Sequence, residues 1–560
     1  MGEICCRGKA VIAAKPWTSG IFCIARRNFD EPLHVKGRIG KAWGSGHGMT
    51  DFQAIGASRK TANTMELIAG AARRTIKAAV PAIPGGIIRI GRNAWRAGKA
   101  SKVAFLVDGA SYFAALDQAL RQARQTIWIV GWDFNPDIRL RPKQSSETLG
   151  ELLLSLADEN PALQIRILVW GMGPVYSGKS LRLFRESGFS SHPQITMRFD
   201  LRHPLRGCHH QKLVSIDDSL GFLGGIDLTA RRWDEPDHRV RNPVRLSPDG
   251  TPYEPVHDMQ SMVSGQTASL IGDVARRRWK RATGERIEPS PVRDAAWPLA
   301  VPAEITDATA AIALTEPGLI GKRGHYEAFR LTRDAIRAAR KHIYIETQYL
   351  ASFGVARELA KRLKEIEGPE IAVLVTKSSH GFIEKLTMGN NRDRLIRRLK
   401  RIDRYDRLRV MYAVVPDDQG GEKEIVIHSK LMIVDDTFIR IGSSNLNNRS
   451  EGLDTECDLA IEAETEGHRQ AITALRHRLI AEHLDATSQD VRQIESEKRS
   501  LLDTIETLNI RERGLRHFAV DIAHGGTTPL PGTGIVDPRR PYWPLHRLRL
   551  RVGRLVSVFF

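Results

Sequence analysis

One short phrase occurs twice in this chain of 560 residues, and the histidines that open the two copies are 218 positions apart. Each copy has a lysine two positions after its histidine, then an aspartate and a glycine-led turn. The first copy is His210, Lys212, Asp217, Gly224, Gly225 and Asp227, and the second is His428, Lys430, Asp435, Gly442, Ser443 and Asn445. Two copies in one register indicate a duplicated half, so the chain is expected to fold as two equivalent lobes.

Strand-like and helical patterns alternate in both halves of the chain, which indicates sheets with helices on their faces. In the first half, strands are predicted at Lys102–Val107, Thr126–Trp132 and Gln164–Val169, and helices at Ala110–Arg124, Ser146–Ala157 and Ser180–Glu186. In the second half, helices are predicted at Tyr326–Arg340 and Val355–Lys364, and strands at His342–Gln348, Glu370–Thr376 and Glu424–Val434. The predicted fold class is α/β. It has two duplicated lobes, each a mixed β-sheet flanked by helices, related by a pseudo-two-fold axis with the active site at their interface.

Composition divides the chain into five predicted regions. A basic, weakly ordered extension and a tail of one helical stretch (Val491–Leu508) with a basic end flank the two lobes. Between the lobes lies a linker rich in Pro, Ala and Thr. The regions are 1–100 (extension), 101–284 (lobe 1), 285–324 (linker), 325–485 (lobe 2) and 486–560 (helical segment and basic tail).

The repeated phrase has residue types suited to phosphodiester chemistry. Residues i and i+2 of a strand face the same side, so each histidine is expected to project beside its lysine. Two lobes would then bring His210, Lys212, His428 and Lys430 into one pocket. The lysines would hold the phosphate oxygens, one histidine would attack phosphorus, and the other would protonate the leaving alcohol and then activate water. This route needs no metal, and neither a metal nor a cofactor is expected.

The motif aspartates are expected to have a structural role. Asp217 and Asp435 each lie seven positions after their histidine, an odd offset that turns the side chain to the opposite face of a regular strand. We therefore expect them to hold the strand ends rather than to contact substrate.

Other polar residues are candidates for orienting the catalytic groups, because a histidine that acts as a base needs an acceptor to fix its ring. Asp227 and Asn445 follow the glycine turns and are expected to orient histidine or phosphate. Glu456 is the candidate acceptor in lobe 2, and Asp234 or Asp237 is the candidate in lobe 1.

The overall charge indicates an anionic partner. There are 84 Lys and Arg against 65 Asp and Glu, a net charge of +19, which suits a phospholipid surface or nucleic acid. The five cysteines have neither a disulfide nor a metal-binding spacing. No transmembrane run or standard secretory signal is expected, so the protein is expected at a membrane surface as a monomer. It would be cytoplasmic, or secreted without a standard signal peptide.

These residues resemble the paired signatures of the phospholipase D superfamily over about Ser101 to Leu484. Lobe 1 is similar to the phosphatidylcholine-hydrolysing branch, and lobe 2 has segments typical of the same branch. The lobe 1 segments are His209-His-Gln-Lys-Leu, Phe222-Leu-Gly-Gly-Ile-Asp-Leu, Arg232-Trp-Asp and His257-Asp-Met-Gln, and those of lobe 2 are Ile343-Tyr-Ile-Glu-Thr-Gln-Tyr and Gly442-Ser-Ser-Asn-Leu-Asn-Asn-Arg-Ser. The resemblance implies that His210 is the nucleophile and His428 the acid and base, whereas the residues alone leave these roles symmetric.

The function expected from these features is a phospholipase D that forms phosphatidate and a free head group through a phosphohistidine, with possible head-group exchange. Three alternatives stay open. The positive charge permits a nuclease or other non-lipid phosphodiesterase. A cardiolipin synthase-like phosphatidyltransferase would share the motifs, and an inactive membrane-binding scaffold would not need them.

Overall fold

The computed structural model of the chain describes residues 86–171, 191–291, 296–318, 324–378 and 389–541. Its strands are β1 (Arg96–Val107), β2 (Thr126–Gly131), β3 (Gln164–Trp170), β4 (Ile195–Asp200), β5 (Leu213–Ile216), β6 (Leu220–Gly224), β7 (Val256–His257), β8 (Met259–Gly265), β9 (Ile305–Glu316), β10 (His325–Tyr326), β11 (His342–Thr347), β12 (Glu370–Val375), β13 (Leu408–Pro416), β14 (Glu422–Glu424), β15 (Val426–Ile427), β16 (Lys430–Val434), β17 (Phe438–Gly442), β18 (Glu456–Glu462) and β19 (Gly514–His517). Its α-helices are α1 (Asp108–Leu120), α2 (Leu149–Glu159), α3 (Gln266–Thr283), α4 (Glu327–Ala338), α5 (Phe353–Leu363), α6 (Asn390–Ile402), α7 (Glu466–His483), α8 (Ser488–Lys498), α9 (Leu501–Leu508) and α10 (Thr533–Val536). A short 3₁₀ helix lies at Arg449–Glu451.

The strand pairings repeat the same order in the two lobes. In lobe 1 neighbouring strands follow the order β4–β3–β2–β5–β6–β8–β1, and in lobe 2 the order is β13–β12–β11–β16–β17–β18–β9. The two orders meet where β1 pairs antiparallel with β9, with Arg96 opposite Ile312. The predicted α/β class and duplicated lobes are therefore confirmed, and both motif strands occupy equivalent places.

Helices cover the sheet because each lobe has apolar faces to bury. Outer cores lie under α1 and α2 in lobe 1 and under α4, α5 and α6 in lobe 2. A third core joins the lobes and includes the apolar faces of α3 and α7. Local capping sets where several of these helices begin: Thr148 and Glu151 form a capping box at α2, and Ser352 caps α5.

The predicted linker over 285–324 is wrong for its central part. Residues 305–316 form β9, which pairs with both β1 and β18 at the junction of the lobes. The segment is rich in alanine and threonine, a composition that suggested a linker. Small side chains are favoured at this position because Ala308, Ala310 and Ala313 are fully buried.

Two other predicted boundaries differ from the structure. Strand β1 begins at Arg96, so the predicted extension over 1–100 includes the start of lobe 1; residues 1–85 lie outside the described residues. The single helical stretch predicted at Val491–Leu508 is two helices. Arg499 has a φ of 57°, which stops α8, and Ser500 then caps α9. The predicted helix at Ser180–Glu186 and the basic end after residue 541 also lie outside the described residues.

Candidate active site

Each motif histidine directly follows a residue whose backbone pairs with the opposite lobe. Strand β15 of lobe 2 runs parallel to β7 of lobe 1, with Ile427 opposite His257. On the other side, His209 forms a parallel bridge to Thr455. The next residue along each of these four segments is a histidine or a carboxylate, so each histidine of one lobe lies beside an acid of the other.

The distances confirm this exchange. His210 Nδ1 lies 3.0 Å from Glu456 Oε2, and His428 Nδ1 lies 2.6 Å from Asp258 Oδ2. His210 Nδ1 is also 3.0 Å from the carbonyl oxygen of Ser443. Acceptors around Nδ1 favour the tautomer with its proton there, which leaves Nε2 of each ring free to act on a substrate. The His210 and His428 side chains are 16% and 10% exposed, so both rings reach solvent from a largely buried position.

The motif lysines lie beneath the histidines and are almost completely buried. Lys212 Nζ is 3.1 Å from Asp227 Oδ2 and donates to the carbonyl oxygen of His210 at 3.0 Å. Lys430 Nζ is 3.1 Å from His428 Nδ1 and also donates to the His428 carbonyl oxygen. The histidines lie just before β5 and β16, outside the regular strands. Each lysine nevertheless projects on the same side as its histidine, as the i and i+2 spacing predicted.

The buried charges of the two pairs act on one another. Burial lowers the pKa of His210, and the ammonium groups of Lys212 and of Lys430 from the opposite lobe lower it further. Burial also lowers the pKa of Lys430 to about 7, with Lys212 and Arg232 acting in the same direction. Burial and then Lys430 lower the pKa of His428. A neutral His210 at neutral pH is the form a nucleophile requires.

Burial strongly perturbs the carboxyl of Glu456. Ser443 and Ser450 each donate a hydroxyl hydrogen bond of 2.6 Å to it, one to each oxygen. Its side chain is fully buried, and burial raises its pKa to about 7 despite those hydrogen bonds and the nearby lysines.

We expect Glu456 to make folding stability fall as pH rises. A carboxyl with an ordinary value of 4.5 and a folded pKa of about 7 contributes stability that is complete below pH 4.5 and is lost through pH 7. The loss is on the order of 3 kcal/mol. In Glu456→Gln, the free energy of unfolding measured with urea should therefore lack this fall, so that between pH 4.5 and pH 7 it decreases less, or increases more, than in the wild type. Exposed Glu422→Gln serves as the control and should retain the wild-type slope. Equal slopes for all three proteins would contradict the assignment. The lowered pKa of Lys430 acts above pH 7, outside this window.

The motif aspartates hold backbone instead of facing the pocket. Asp217 accepts hydrogen bonds from the amides of 124–126 at the start of β2, and Asp435 accepts them from the amides of 340–342 at the start of β11. Both residues also have a positive φ of 53°, a conformation that aspartate tolerates in a hairpin turn. Their position agrees with the structural role expected from the odd offset.

Replacing Asp217 with alanine should destabilise the fold by about 2–4 kcal/mol, because three amides lose a charged acceptor. Urea unfolding measures this loss, and turnover per folded molecule should stay near the wild-type value. Asp158→Ala is the matched control, since that carboxylate is 73% exposed and should change stability little. A stable variant with reduced turnover would instead place Asp217 in the chemistry.

The two residues that follow the glycine turns, Asp227 and Asn445, have different surroundings. Asp227 holds Lys212 and accepts the Trp132 amide at 2.9 Å, so it positions a lysine. Asn445 is 8% exposed, and its Oδ1 has no hydrogen-bond partner in the part of the chain that the structure describes. A role for Asn445 in orienting phosphate stays a prediction.

The candidate acceptors in lobe 1 need correction. Asp234 accepts from His238 Nδ1, Arg245 Nη1 and the Val256 amide, each at 2.9 Å, and these contacts hold the loop before β7. Asp237 forms an ion pair with Arg239 near the surface. Neither contacts a motif histidine within the described residues. The acceptor for His428 is Asp258, which stands in the segment His257-Asp-Met-Gln but was given no role from the sequence.

Asp258 and Glu456 occupy equivalent positions. Each acid lies two positions before the residue that pairs with the first residue of a glycine turn. Gln260 lies opposite Gly224, and Asp458 lies opposite Gly442. The offset between the two acids is only 198, because the connection after the glycine turn is longer in lobe 1. A search for the 218 offset therefore misses Asp258, although an acid next to a pairing strand was a usable signal.

Comparison with known proteins identifies the family of the chain. Residues 119–307 match the family model described as Phospholipase D, and residues 332–478 match the family model described as Cardiolipin synthase, PLD-like domain. The chain belongs to the phospholipase D superfamily.

Several curated proteins are similar to the chain. Phospholipase D alpha 4 of Arabidopsis thaliana is 24% identical over 70% of this chain and 66% of that protein. Phospholipase D alpha 1 of Ricinus communis is 25% identical over 74% of this chain and 70% of that protein. The chain thus spans about two thirds of the length of these plant relatives. Phospholipase D2 of Bos taurus is 32% identical over 27% of this chain and 16% of that protein.

Solved structures with some similarity include a phosphatidylserine synthase from Haemophilus influenzae Rd KW20. The synthase is 14% identical to this chain and has a TM-score of 0.47. The match covers 81% of this chain and 94% of the synthase chain. The phospholipase D family member Nuc from Salmonella typhimurium is 15% identical, covers 30% of this chain and 90% of its own, and has a TM-score of 0.21. None of the helices within the described ranges is long and apolar enough to cross a membrane.

Proposed function

We propose that this protein is a phospholipase D that hydrolyses phosphatidylcholine or a related phospholipid to phosphatidate and the free head group. An alcohol in place of water would give head-group exchange. One observation carries the proposal: each motif histidine is bound to an acid of the opposite lobe, and two buried lysines, one from each lobe, both act on His210. The names of the relatives support the same class of reaction.

In the first step, Nε2 of His210 forms a bond to phosphorus and the bond to the head-group oxygen breaks. The leaving oxygen takes a proton from His428. In the second step, His428 takes a proton from water, the water oxygen bonds to phosphorus, and His210 leaves. Lys212 and Lys430 stabilise the charge on the phosphoryl oxygens in both steps.

The proton that His428 must deliver depends on the substrate. In the free site, burial and Lys430 lower the pKa of His428, which disfavours its charged form. A bound phosphodiester brings a negative charge close to both groups, and that charge raises the pKa of a neighbouring histidine. Asp258 stabilises the resulting imidazolium through Nδ1. Substrate binding is thus linked to protonation of His428.

A group of aromatic rings beside the site favours a choline head group. The ring centroids of Trp132 and Trp170 are 5.7 Å apart, and His203 packs edge-on against Trp170. The Trp132 amide is bound to Asp227, which in turn holds Lys212, so the backbone that carries this ring adjoins a lysine of the proposed site. Indole rings attract quaternary ammonium groups through cation–π interaction.

Replacing Trp132 with alanine should therefore lower kcat/KM for phosphatidylcholine by about 5- to 30-fold relative to phosphatidylglycerol, which has no cationic head group. Rates on mixed micelles of each lipid measure the ratio. Trp132→Phe keeps an aromatic face and should lose less. An equal loss on both lipids would mean that the ring supports the fold and does not select the head group.

An exposed basic and apolar segment suggests how the site reaches a membrane. Leu201 and Leu205 are 64% and 67% exposed in the segment that leads to His209. The same segment has arginines at positions 198, 202 and 206. Apolar side chains among cations suit the interface of an anionic bilayer. We propose this face as the surface that contacts the phospholipid.

The test is choline release from phosphatidylcholine vesicles, run beside cleavage of plasmid DNA with the same enzyme. Choline release that disappears in His210→Asn supports the proposal. Plasmid cleavage without choline release would overturn it in favour of a nuclease. A third arm with phosphatidylglycerol vesicles covers transfer to a second lipid, because residues 332–478 match a family described by the name Cardiolipin synthase.

A further inference from the structure

A second cluster of histidines and acids lies behind the catalytic groups and has no part in the proposed reaction. It consists of Asp108, at the start of α1, His238 in the loop before β7, His257 in β7, and Glu482 in α7. The Asp108, His238 and His257 side chains are fully buried, and that of Glu482 is 6% exposed. Three elements of lobe 1 and one helix of lobe 2 thus supply polar side chains to one interior point.

The ligand atoms of this cluster lie close enough together to surround one ion. His257 Nδ1 lies 3.1 Å from Asp108 Oδ1 and 2.9 Å from Glu482 Oε1. His238 Nε2 lies 3.2 Å from Glu482 Oε1 and 3.6 Å from Asp108 Oδ2. Ligands of a tetrahedral Zn²⁺ ion, at bond lengths near 2.0–2.1 Å, are separated by about 3.3 Å. The observed separations bracket that value, and the ligand atoms all lie within 4.8 Å of one another.

Hydrogen bonding alone leaves this cluster poorly satisfied. A single ring nitrogen of His257 faces two carboxylates and carries at most one proton, and Nε2 of His238 is in the same position. Neither carboxylate oxygen of Asp108 has a hydrogen bond of acceptable geometry in the part of the chain described. A buried carboxylate without hydrogen bonds is costly, whereas a cation at the centre would contact both acids at once.

The opposite nitrogen of each histidine is already bound to another acid. His238 Nδ1 lies 2.9 Å from Asp234, which Arg245 holds in place. His257 Nε2 lies 2.9 Å from Glu346, which also accepts the Tyr344 and Ser429 hydroxyls. Histidines that ligate metals usually donate their second N–H to a carboxylate, which fixes the tautomer and the ring orientation. Both rings meet that requirement.

We propose that Asp108, His238, His257 and Glu482 bind one divalent transition-metal ion, of the Zn²⁺ class. Two imidazoles and two carboxylates are ligands that this ion accepts in a tetrahedral site. Two carboxylates and a divalent cation cancel in charge, which suits a buried position. Glu482 and its neighbour Asp485 also line a surface cavity with Pro236 and Arg513, and this cavity provides a path for the ion.

The ion would position the site and take no part in the chemistry. The His257 carbonyl oxygen accepts the His428 amide at 2.8 Å, and Asp258, the acceptor for the His428 ring, is the next residue. A metal on His257 and Glu482 would therefore hold the two lobes together directly behind His428. This proposal departs from the expectation that the chain binds no metal, which was based on a phosphodiester reaction that needs none.

A rival arrangement has a second proton on each histidine and no metal. Burial lowers the pKa of His238, but the carboxylates of Asp108, Asp234 and Glu482 raise it to about 9. Two imidazolium ions would then neutralise the same acids. Metal binding would displace these two protons, so the two arrangements have the same net charge and only direct measurement of the ion separates them.

The test measures metal in the full-length protein and does not use activity. The chain is incubated with Zn²⁺, dialysed, and analysed by mass spectrometry for bound metal, and a Co²⁺-loaded sample is examined for the visible bands of a four-coordinate ion. We expect one ion per chain and a melting temperature several degrees lower after removal with dipicolinate, restored by Zn²⁺. Less than a tenth of an ion per chain, with a melting temperature unaffected by the chelator, would overturn the proposal.

Variants locate the ion. His238→Gln should lose the metal and the Co²⁺ bands. His483→Gln is the matched control, because that buried histidine contacts Glu346 but is not one of the four proposed ligands, and it should keep the metal. Metal retained by His238→Gln, or lost only in His483→Gln, would place the ion elsewhere. If His238→Gln does not fold, the wild-type metal content and melting temperature still decide the question. Neither readout depends on phospholipase activity.

Discussion

Replacing His210 with asparagine is expected to lower kcat by about 10⁴-fold or more, because the variant has no nucleophile to form the covalent intermediate. Replacing His428 should cause a loss of similar size on natural lipids, since both the leaving alcohol and the attacking water depend on it. Choline release under saturating substrate measures both losses. Acid quench during turnover of wild-type enzyme should trap phosphate on His210.

The control for this prediction is the neighbouring histidine. His209 is 1% exposed, and its ring is bound to Thr455 and lies 3.1 Å from Asp200, away from the reacting groups. His209→Asn should therefore lose stability more than turnover per folded molecule. A His210 or His428 variant with near-wild-type kcat would contradict a shared site. Phosphate trapped on His428 would reverse the two roles.

The second large effect is expected from the acids that cross between the lobes. Asp258→Asn should lower kcat by about 10²–10⁴-fold with little change in KM, because an amide no longer holds the proton on Nδ1 of His428. Glu456→Gln should do the same through His210. Asp234→Asn, which alters an acid bound to His238 and Arg245, should affect stability first.

A substrate with a better leaving group separates the two acids. A phosphatidyl ester of p-nitrophenol needs no proton on its leaving oxygen, so loss of the acid matters little in the first step. Asp258→Asn should then release a rapid burst of p-nitrophenol followed by slow turnover. Glu456→Gln should show no burst, because the nucleophile itself is misoriented. The opposite pattern would mean that each acid serves the histidine of its own lobe.

Much of the site could be predicted from local pattern. The i and i+2 spacing placed each histidine beside its lysine, and the odd offset of seven turned Asp217 and Asp435 away from the pocket. Both conclusions depend only on the backbone geometry of neighbouring residues, which the sequence carries directly. The duplication also predicted how the lobes associate, because two equal halves with one motif each can bury their motif faces against one another.

Other features depended on contacts between distant residues. The segment containing β9 has a composition typical of a linker, and it is a strand because β1 and β18 supply partners on both sides. Asp234 and Asp258 are both acids in the connection between β6 and β8, and only the pairing of β7 with β15 decides which of them meets His428.

The sequence by itself therefore determined that there are two lobes and that the motif aspartates support strands, and it predicted which four residues the motifs contribute to the proposed site. Tertiary structure decided which acid serves which histidine, and it assembled the proposed metal site from Asp108, His238, His257 and Glu482. The physical reason is the range of the interactions. Side-chain direction along a strand is set by adjacent peptide units, whereas Asp258 and His428 are 170 positions apart and form their hydrogen bond only after the two lobes have folded together.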